Sequence, residues 1–181
     1  MDQIRIERWD PQPSHLSADI EMLGDVLHAC VQAGAAVNFI LPFSIDDAVV
    51  FWRDNVLPAV IAGSCRVLVA RIGERIVGTV QLDLATPPNQ SHRVEARKLL
   101  VHPEARRRGI ARMLMAALEE HARDARRSLI TLDTRTGDFA EALYLSMGYI
   151  RVGVIPRYSW SPDSSRLEAA TLMYKELTSS V

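Results

Sequence analysis

The stretch from Val94 to Arg112 constrains this chain more than any other. Leu99, Leu100 and Val101 form an apolar run suited to a covered strand, and Pro103 stops it. From Ile110 the apolar residues fall at Ile110, Met113, Leu114, Ala117, Leu118 and Ala122, the spacing of one helix face. Between strand and helix lies a basic turn, Arg106-Arg107-Arg108-Gly109. A helix N-terminus already carries partial positive charge and unpaired N–H groups, so clustered arginines conflict with it. An anionic ligand removes the conflict, because the N–H groups and the arginines then share one phosphate. Gly109 has no side chain and lets such a ligand approach the backbone. The alternative, a solvated basic loop, is what the arginines alone would suggest. The order of strand, proline, Arg-x-x-Gly-x-Ala and amphipathic helix favours the anion site.

The remainder of the chain bounds what such a site belongs to. With 181 residues, the expectation is one domain over 1–181 with a sizeable core. The formal charge of −1 sets up no global field, so neither nucleic acid nor a membrane is an expected partner. Positive charge is concentrated instead from Arg97 to Arg112, and at Arg123, Arg126 and Arg127. Cys30 and Cys65 lack metal-ligand spacing and read as small buried hydrophobes. His15, His28, His92 and His121 form no metal constellation, so no metal is expected. The opening Met1-Asp2-Gln3-Ile4-Arg5 lacks a signal-peptide core, and no apolar run is long enough to span a bilayer. A cytoplasmic, reducing location is therefore expected. A P-loop is excluded, because Arg106 to Ala111 lacks the Gly-Lys-Ser/Thr ending.

Taken in order, Gln3 to Trp9 alternates as a first strand. Ser17 or Asp19 is placed to cap a helix carrying Ile20, Leu23, Leu27, Cys30 and Val31, which Gly34 ends. Ala35 to Phe43 is an apolar loop, either packed on the core or acting as a substrate lid. Ser44 and Asp47 read as a capping box for a second helix, which Pro58 must kink or shorten. Cys65–Ile72 and Arg75–Leu84 form a hairpin around Gly73-Glu74. Leu129 to Thr134 is a strand, and Ala140, Leu143, Tyr144 and Met147 share one face of a short helix. Tyr149–Tyr158 and Leu167–Leu177 are closing strands, whose edges are placed to pair two copies as a homodimer. Pattern alone supports an α/β sheet with helices on both faces.

Arg106-Arg107-Arg108-Gly109-Ile110-Ala111 resembles the Arg/Gln-x-x-Gly-x-Gly/Ala pattern of the GNAT superfamily of acyl-CoA-dependent N-acetyltransferases. Ala142-Leu143-Tyr144-Leu145-Ser146-Met147-Gly148-Tyr149 resembles the late helix of the same superfamily, and the likeness covers roughly Cys65 to Tyr158. Shorter stretches, such as Arg93 to Leu99 and Leu132-Asp133-Thr134, resemble members that acetylate a β-lactam amino-acid toxin. The resemblance implies a GNAT fold, with a mixed, mostly antiparallel central sheet. It also implies that the parallel neighbours Val94–Val101 and Ser128–Thr134 splay apart to admit the pantetheine arm of acetyl-CoA. One departure is Gly137, where many members place an asparagine that contacts the cofactor.

Acetyl transfer to an amine needs a base for the amine, a donor to the thioester oxygen and a proton for the leaving thiolate. Glu95 matches the base position of several members, with a structural ion pair to Arg97 as the alternative. Asp133 ends the partner strand and is placed to face Glu95, with a turn cap as its alternative. Tyr144 is the candidate acid, with a core aromatic as the alternative. The resemblance assigns acetyl-CoA to the backbone of Leu99, Leu100 and Val101, and to Arg106, Arg107, Arg108, Gly109, Ile110, Ala111 and Arg112. Asn38, Phe39 and Trp52 are candidate acceptor contacts, although Trp52 at helical spacing also suits a core. The expected function is transfer of acetyl from acetyl-CoA to a primary amine of a small, amino-acid-like molecule, antibiotics and toxins included. Acetylation of a protein N-terminus or lysine, and non-catalytic CoA binding, are the alternatives.

Overall fold

Alternating apolar residues make strands here, and amphipathic stretches between them make the covering helices. The computed structural model describes residues 3–177. Met1 and Asp2, which open the N-terminal stretch read above, lie outside the described residues. The elements are β1 (Ile4–Arg8), α1 (Leu16–Gln32), α2 (Ile45–Val50), α3 (Leu57–Ile61), β2 (Cys65–Ile72), β3 (Arg75–Asp83) and β4 (Arg93–Val101), followed by α4 (Ile110–Asp124), β5 (Leu129–Arg135), α5 (Phe139–Ser146), β6 (Ile150–Trp160) and β7 (Leu167–Glu176). The strands form one seven-stranded sheet in the order β1-β2-β3-β4-β5-β7-β6. Every neighbouring pair is antiparallel except β4 and β5, which run parallel.

Two apolar layers sandwich the sheet. On one face α1, α2, α3 and the Phe51–Val56 turn between the last two bury Leu23, Leu27, Ala48, Trp52 and Val60 against Val67, Val69 and Leu100. On the other, α4 and α5 bury Ile110, Leu114, Leu118 and Tyr144 against Val94, Ile130 and Leu132. The outer strand β6 exposes Ile150, Val152 and Trp160.

Local sequence explains most element ends. The Ser44 hydroxyl accepts from the Asp47 N–H at 3.1 Å, and the Asp47 carboxylate accepts from the Ser44 N–H at 3.0 Å, a complete capping box. The α-helical part of the second helix is short, ending at Val50, and Pro58 sits in the first turn of α3. A π-helical segment over Phe51–Val56 carries the chain into α3, with the Leu57 N–H donating to the Trp52 carbonyl five residues back. Two expected details are corrected. Neither Ser17 nor Asp19 caps α1, which starts after His15 without a side-chain cap. Asp19 is buried instead, accepting from Trp9 Nε1 at 3.0 Å and pairing with Arg71 at 2.8 Å. On α4, Met115 rather than Met113 joins the core, and Met113 stays 38% exposed.

The feature that positions the site is the short run of β4–β5 pairing. It covers only Arg93, Val94 and Glu95 against Leu129, Ile130 and Thr131. Beyond that, β5 stays paired with β7 out to Arg135, while β4 stays paired with β3 out to Val101. A bulge drives them apart: between Gln81↔Arg97 and Thr79↔Leu100 the β4 strand advances one residue more than β3. Lys98 sits in that bulge with φ of +48°, and such an extra residue bends its strand. Gly78 lets α4 seat closely on β3 beside the gap, since a Cβ there would lie 3.0 Å from the Leu100 carbonyl and 3.2 Å from Ile110.

Candidate active site

The diverging strands open a cleft of about 1030 Å³. Leu99, Leu100 and Val101 line it from β4, Asp133 and Thr134 from β5, and Ala111 and Tyr144 from the far helices. Because the pairing stops at Glu95, the β4 edge beyond it has no sheet partner on the β5 side. Such backbone groups are available to an extended ligand.

At the head of α4, Gly109 serves as the N-cap at φ of +79°, and no side chain caps the helix. Its first N–H groups therefore lack a side-chain acceptor, as an anion site requires. The arginines divide their duties. Arg107 and Arg108 are exposed. Arg106 lines the cleft and turns back, donating from Nε to the Val101 carbonyl at 3.2 Å. Arg112 donates to Ser146 Oγ at 2.6 Å and ties α4 to α5. Ile110 buries its side chain in the core, so only its backbone faces a ligand.

The carboxylates occupy the opposite side of the sheet from α4. Ile130 and Leu132 point into the α4 layer, so Thr131 and Asp133 point away from it, by the alternation of a strand. Glu95 alternates likewise with Val94. Glu95 is engaged: Arg97 grips it from Nε at 3.0 Å and Nη2 at 3.2 Å, and also contacts Asp83 at 2.7 Å. The ion-pair alternative for Glu95 is thus present in the structure, and the same residue lines the cleft. Asp133 has no ion-pair partner among the described residues. Its carboxyl is solvent-accessible in the cleft, yet the surrounding walls strip part of its hydration and the Glu95 charge opposes its own. Both effects raise its pKa above the usual carboxylate range.

Tyr144 stands on the other side of the gap. It is buried, packs on Tyr149 with ring centroids 5.6 Å apart, and still lines the cleft. Burial, and secondarily the charges of Asp133 and Asp138, push its pKa upward, so the phenol keeps its proton near neutrality. At the departure position, Gly137 has φ of +79° and gives its N–H to the Glu141 carboxylate at 2.6 Å. Asp138 caps α5 and pairs with Arg135 at 2.9 Å, and both line the cleft.

The loop after α1 closes the cleft on the carboxylate side. Arg135 donates to the Gly34 carbonyl at 3.0 Å, and the Leu41 N–H donates to the Pro162 carbonyl at 2.8 Å. Asn38 lines the cleft with φ of +72°. Phe39 packs on Phe43 at 4.6 Å and Phe51 at 5.1 Å, supporting the wall from behind. Trp52 is corrected: it is 0% exposed, packs edge-on to Trp9 at 6.4 Å, and does not reach the cleft. Its neighbour Phe51 does, because helical geometry turns adjacent side chains to different faces. Lys98, not among the residues singled out by sequence, also lines the cleft, and its ammonium donates to the Val37 carbonyl at 3.0 Å beside Phe39 and Phe51. The signal was a lone lysine immediately before the apolar run Leu99–Val101.

A model of the Acetyltransferase (GNAT) family matches residues 38–149. The chain belongs to the GNAT acetyltransferase family. Among curated relatives, it is 40% identical over 93 residues to N-acetyltransferase 8 of Homo sapiens, covering 50% of this chain and 40% of that protein. It is 35% identical over 95 residues to N-acetyltransferase 8B of Rattus norvegicus, covering 51% and 43% respectively. The chain thus matches less than half the length of these relatives. Among solved structures, yncA of Salmonella typhimurium with its cofactor acetyl-CoA superposes with a TM-score of 0.76 at 19% identity, covering 97% of this chain and 94% of that one. The ribosomal-protein-alanine N-acetyltransferase of Brucella melitensis gives a TM-score of 0.76 at 22% identity, covering 96% and 99%. These structural likenesses establish the GNAT fold, with β4 and β5 as its splayed pair. No helix among the described residues is long and apolar enough to cross a membrane.

Proposed function

We propose that this GNAT protein transfers the acetyl group of acetyl-CoA to a primary amine of a small, amino-acid-like molecule, in the cytoplasm. The observation that carries the reading is the gap itself. An unpaired carboxylate, Asp133, and a protonated phenol, Tyr144, flank one opening from its two sides.

Acetyl-CoA supplies an activated acetyl thioester and a thiol leaving group. The residues present suit it: an uncapped helix start among Arg106, Arg107 and Arg108 for the pyrophosphate, and an unpartnered β4 edge for the pantetheine amides. A backbone N–H within Leu99–Val101 polarises the acetyl carbonyl. Asp133 takes the proton of the attacking amine, and Tyr144 returns one to the departing thiolate. Glu95, clasped by Arg97, acts through its charge on Asp133. A pure CoA binder would need neither Asp133 nor Tyr144. A protein-tail acceptor would need an open groove, whereas the Gly34–Phe43 loop is tied down at Arg135 and Pro162. Antibiotics and toxins with an amino-acid frame fall within the proposed acceptor class.

Thermal unfolding with CoA, ATP or an oligonucleotide tests the cofactor half, and thiol release across an amine panel tests the transfer half. CoA alone should raise the midpoint strongly, since only a ligand of the native state does so. Equal stabilisation by ATP or the oligonucleotide would remove the reading, as would thiol release independent of any amine.

The raised pKa of Asp133 makes a second expectation. Activity should climb with pH as Asp133 loses its proton, because only the carboxylate accepts one from the amine. Glu95→Gln removes the opposing charge and frees Arg97, and both changes lower the Asp133 pKa. The acid limb of kcat/KM should therefore move to lower pH in this variant. A limb that stays in place, or moves upward, would take Asp133 out of the base role.

A further inference from the structure

Lys98 lies in the bulge that opens the cleft, at φ of +48°, a conformation that costs a non-glycine residue. Its ammonium rests 5.0 Å from the Phe39 ring centroid and 5.2 Å from that of Phe51. These three neighbours, Val37, Phe39 and Phe51, belong to the side of the sheet that carries Glu95 and Asp133, away from the arginines of α4. An ammonium has three donors, and the Val37 carbonyl takes one. The other two have no partner among the described residues. On this side of the cleft Arg97 is ion-paired to Glu95 and Asp83, and Arg135 to Asp138 and Glu168. Lys98 lines the same space with no carboxylate within ion-pair distance among the described residues. Burial lowers its pKa to about 8, so it remains mostly charged at neutral pH while poorly hydrated.

The two rings offset part of the cost of this desolvated cation, and its spare donors gain more from an anion. Asp133 is near enough to bias the Lys98 charge, yet the two form no salt bridge. The face thus presents a separated cation and anion around one space. Anchoring the Val37 loop explains one donor; a neutral amide would do that at lower cost. We infer that Lys98 binds the carboxylate of the acceptor while Asp133 receives its amine, so that the acceptor is a free amino acid rather than a simple amine or a blocked residue. This inference rests on the transfer reading above and names its substrate class.

The test pairs each common L-amino acid with its carboxamide as acceptor, in wild type, Lys98→Met and Lys98→Arg, following thiol release. A second readout is calorimetric titration of the corresponding N-acetyl amino acid and N-acetyl carboxamide into CoA-bound protein. Wild type should favour the acid by about tenfold or more in both readouts, the scale of one charged hydrogen bond. Lys98→Met should bring that ratio near one, because its loss on the acid exceeds by about tenfold whatever the lost Val37 contact imposes on acid and carboxamide alike. Lys98→Arg should restore the preference for the acid. Equal use of acid and carboxamide by wild type would overturn the inference. So would a preference that persists in Lys98→Met, or an equal loss on both acceptors, which marks a loop anchor alone. Thiol release with none of the acceptors, with CoA still stabilising the protein, would instead defeat the transfer reading, and this inference with it.

Discussion

Tyr144→Phe should bind CoA as wild type does and lose about 10²-fold or more in kcat, within the range set by removing a positioned acid. The phenol sits on the α5 side of the gap with its pKa raised, first by burial and then by Asp133 and Asp138. It is therefore a poor base and a dependable donor at neutral pH. Phenylalanine keeps the ring, so the packing against Tyr149 persists and the unfolding midpoint should barely move. The end of the cleft proposed for the pyrophosphate is formed by a different element, α4, so CoA affinity should hold. A fall in kcat without a change in CoA affinity marks an interaction made only as the thiolate departs. Unchanged turnover would make Tyr144 a core aromatic that happens to border the cleft.

Trp52→Ala should destabilise the fold by about 3–5 kcal/mol, the usual range for deleting a buried large aromatic side chain. For a chain of this length that lowers the unfolding midpoint by roughly 6–20 °C. Trp52 is fully enclosed between Trp9 and Phe51, with ring centroids 6.4 and 5.9 Å away, and it joins the π-helical turn to the sheet. Its indole N–H has no hydrogen-bond partner, so nothing polar would be orphaned by its loss. Trp52→Phe, which keeps most of the apolar volume, should cost much less. Both variants should retain the acceptor KM in the folded fraction at low temperature. A raised KM with an unchanged midpoint would return Trp52 to the acceptor wall.

Legibility in the sequence followed the range of the forces involved. The capping box at Ser44 and Asp47, the Gly73-Glu74 hairpin and the strand–turn–helix at Val94–Arg112 are local. Each depends on residues within a few positions of one another, and each stands in the structure as read. The misreadings came where long-range packing chose among locally equal options. Asp19 was suited to capping α1, but Trp9 and Arg71 drew it into a buried pair. Met113 and Met115 are equally apolar, and the sheet behind α4 selected Met115. Trp52 and Phe51 are adjacent aromatics, and packing against Trp9 took Trp52 into the core while Phe51 borders the cleft.

The sequence by itself determined the elements, their order and the basic glycine elbow, because those rest on periodicity and backbone chemistry along the chain. Tertiary structure alone decided how far β4 and β5 stay joined, that Asp133 is left without an ion-pair partner among the described residues, and that Lys98 turns toward Val37, Phe39 and Phe51. Those outcomes depend on desolvation and on charges from separate elements meeting in one cleft, and neither quantity is defined until the strands are side by side.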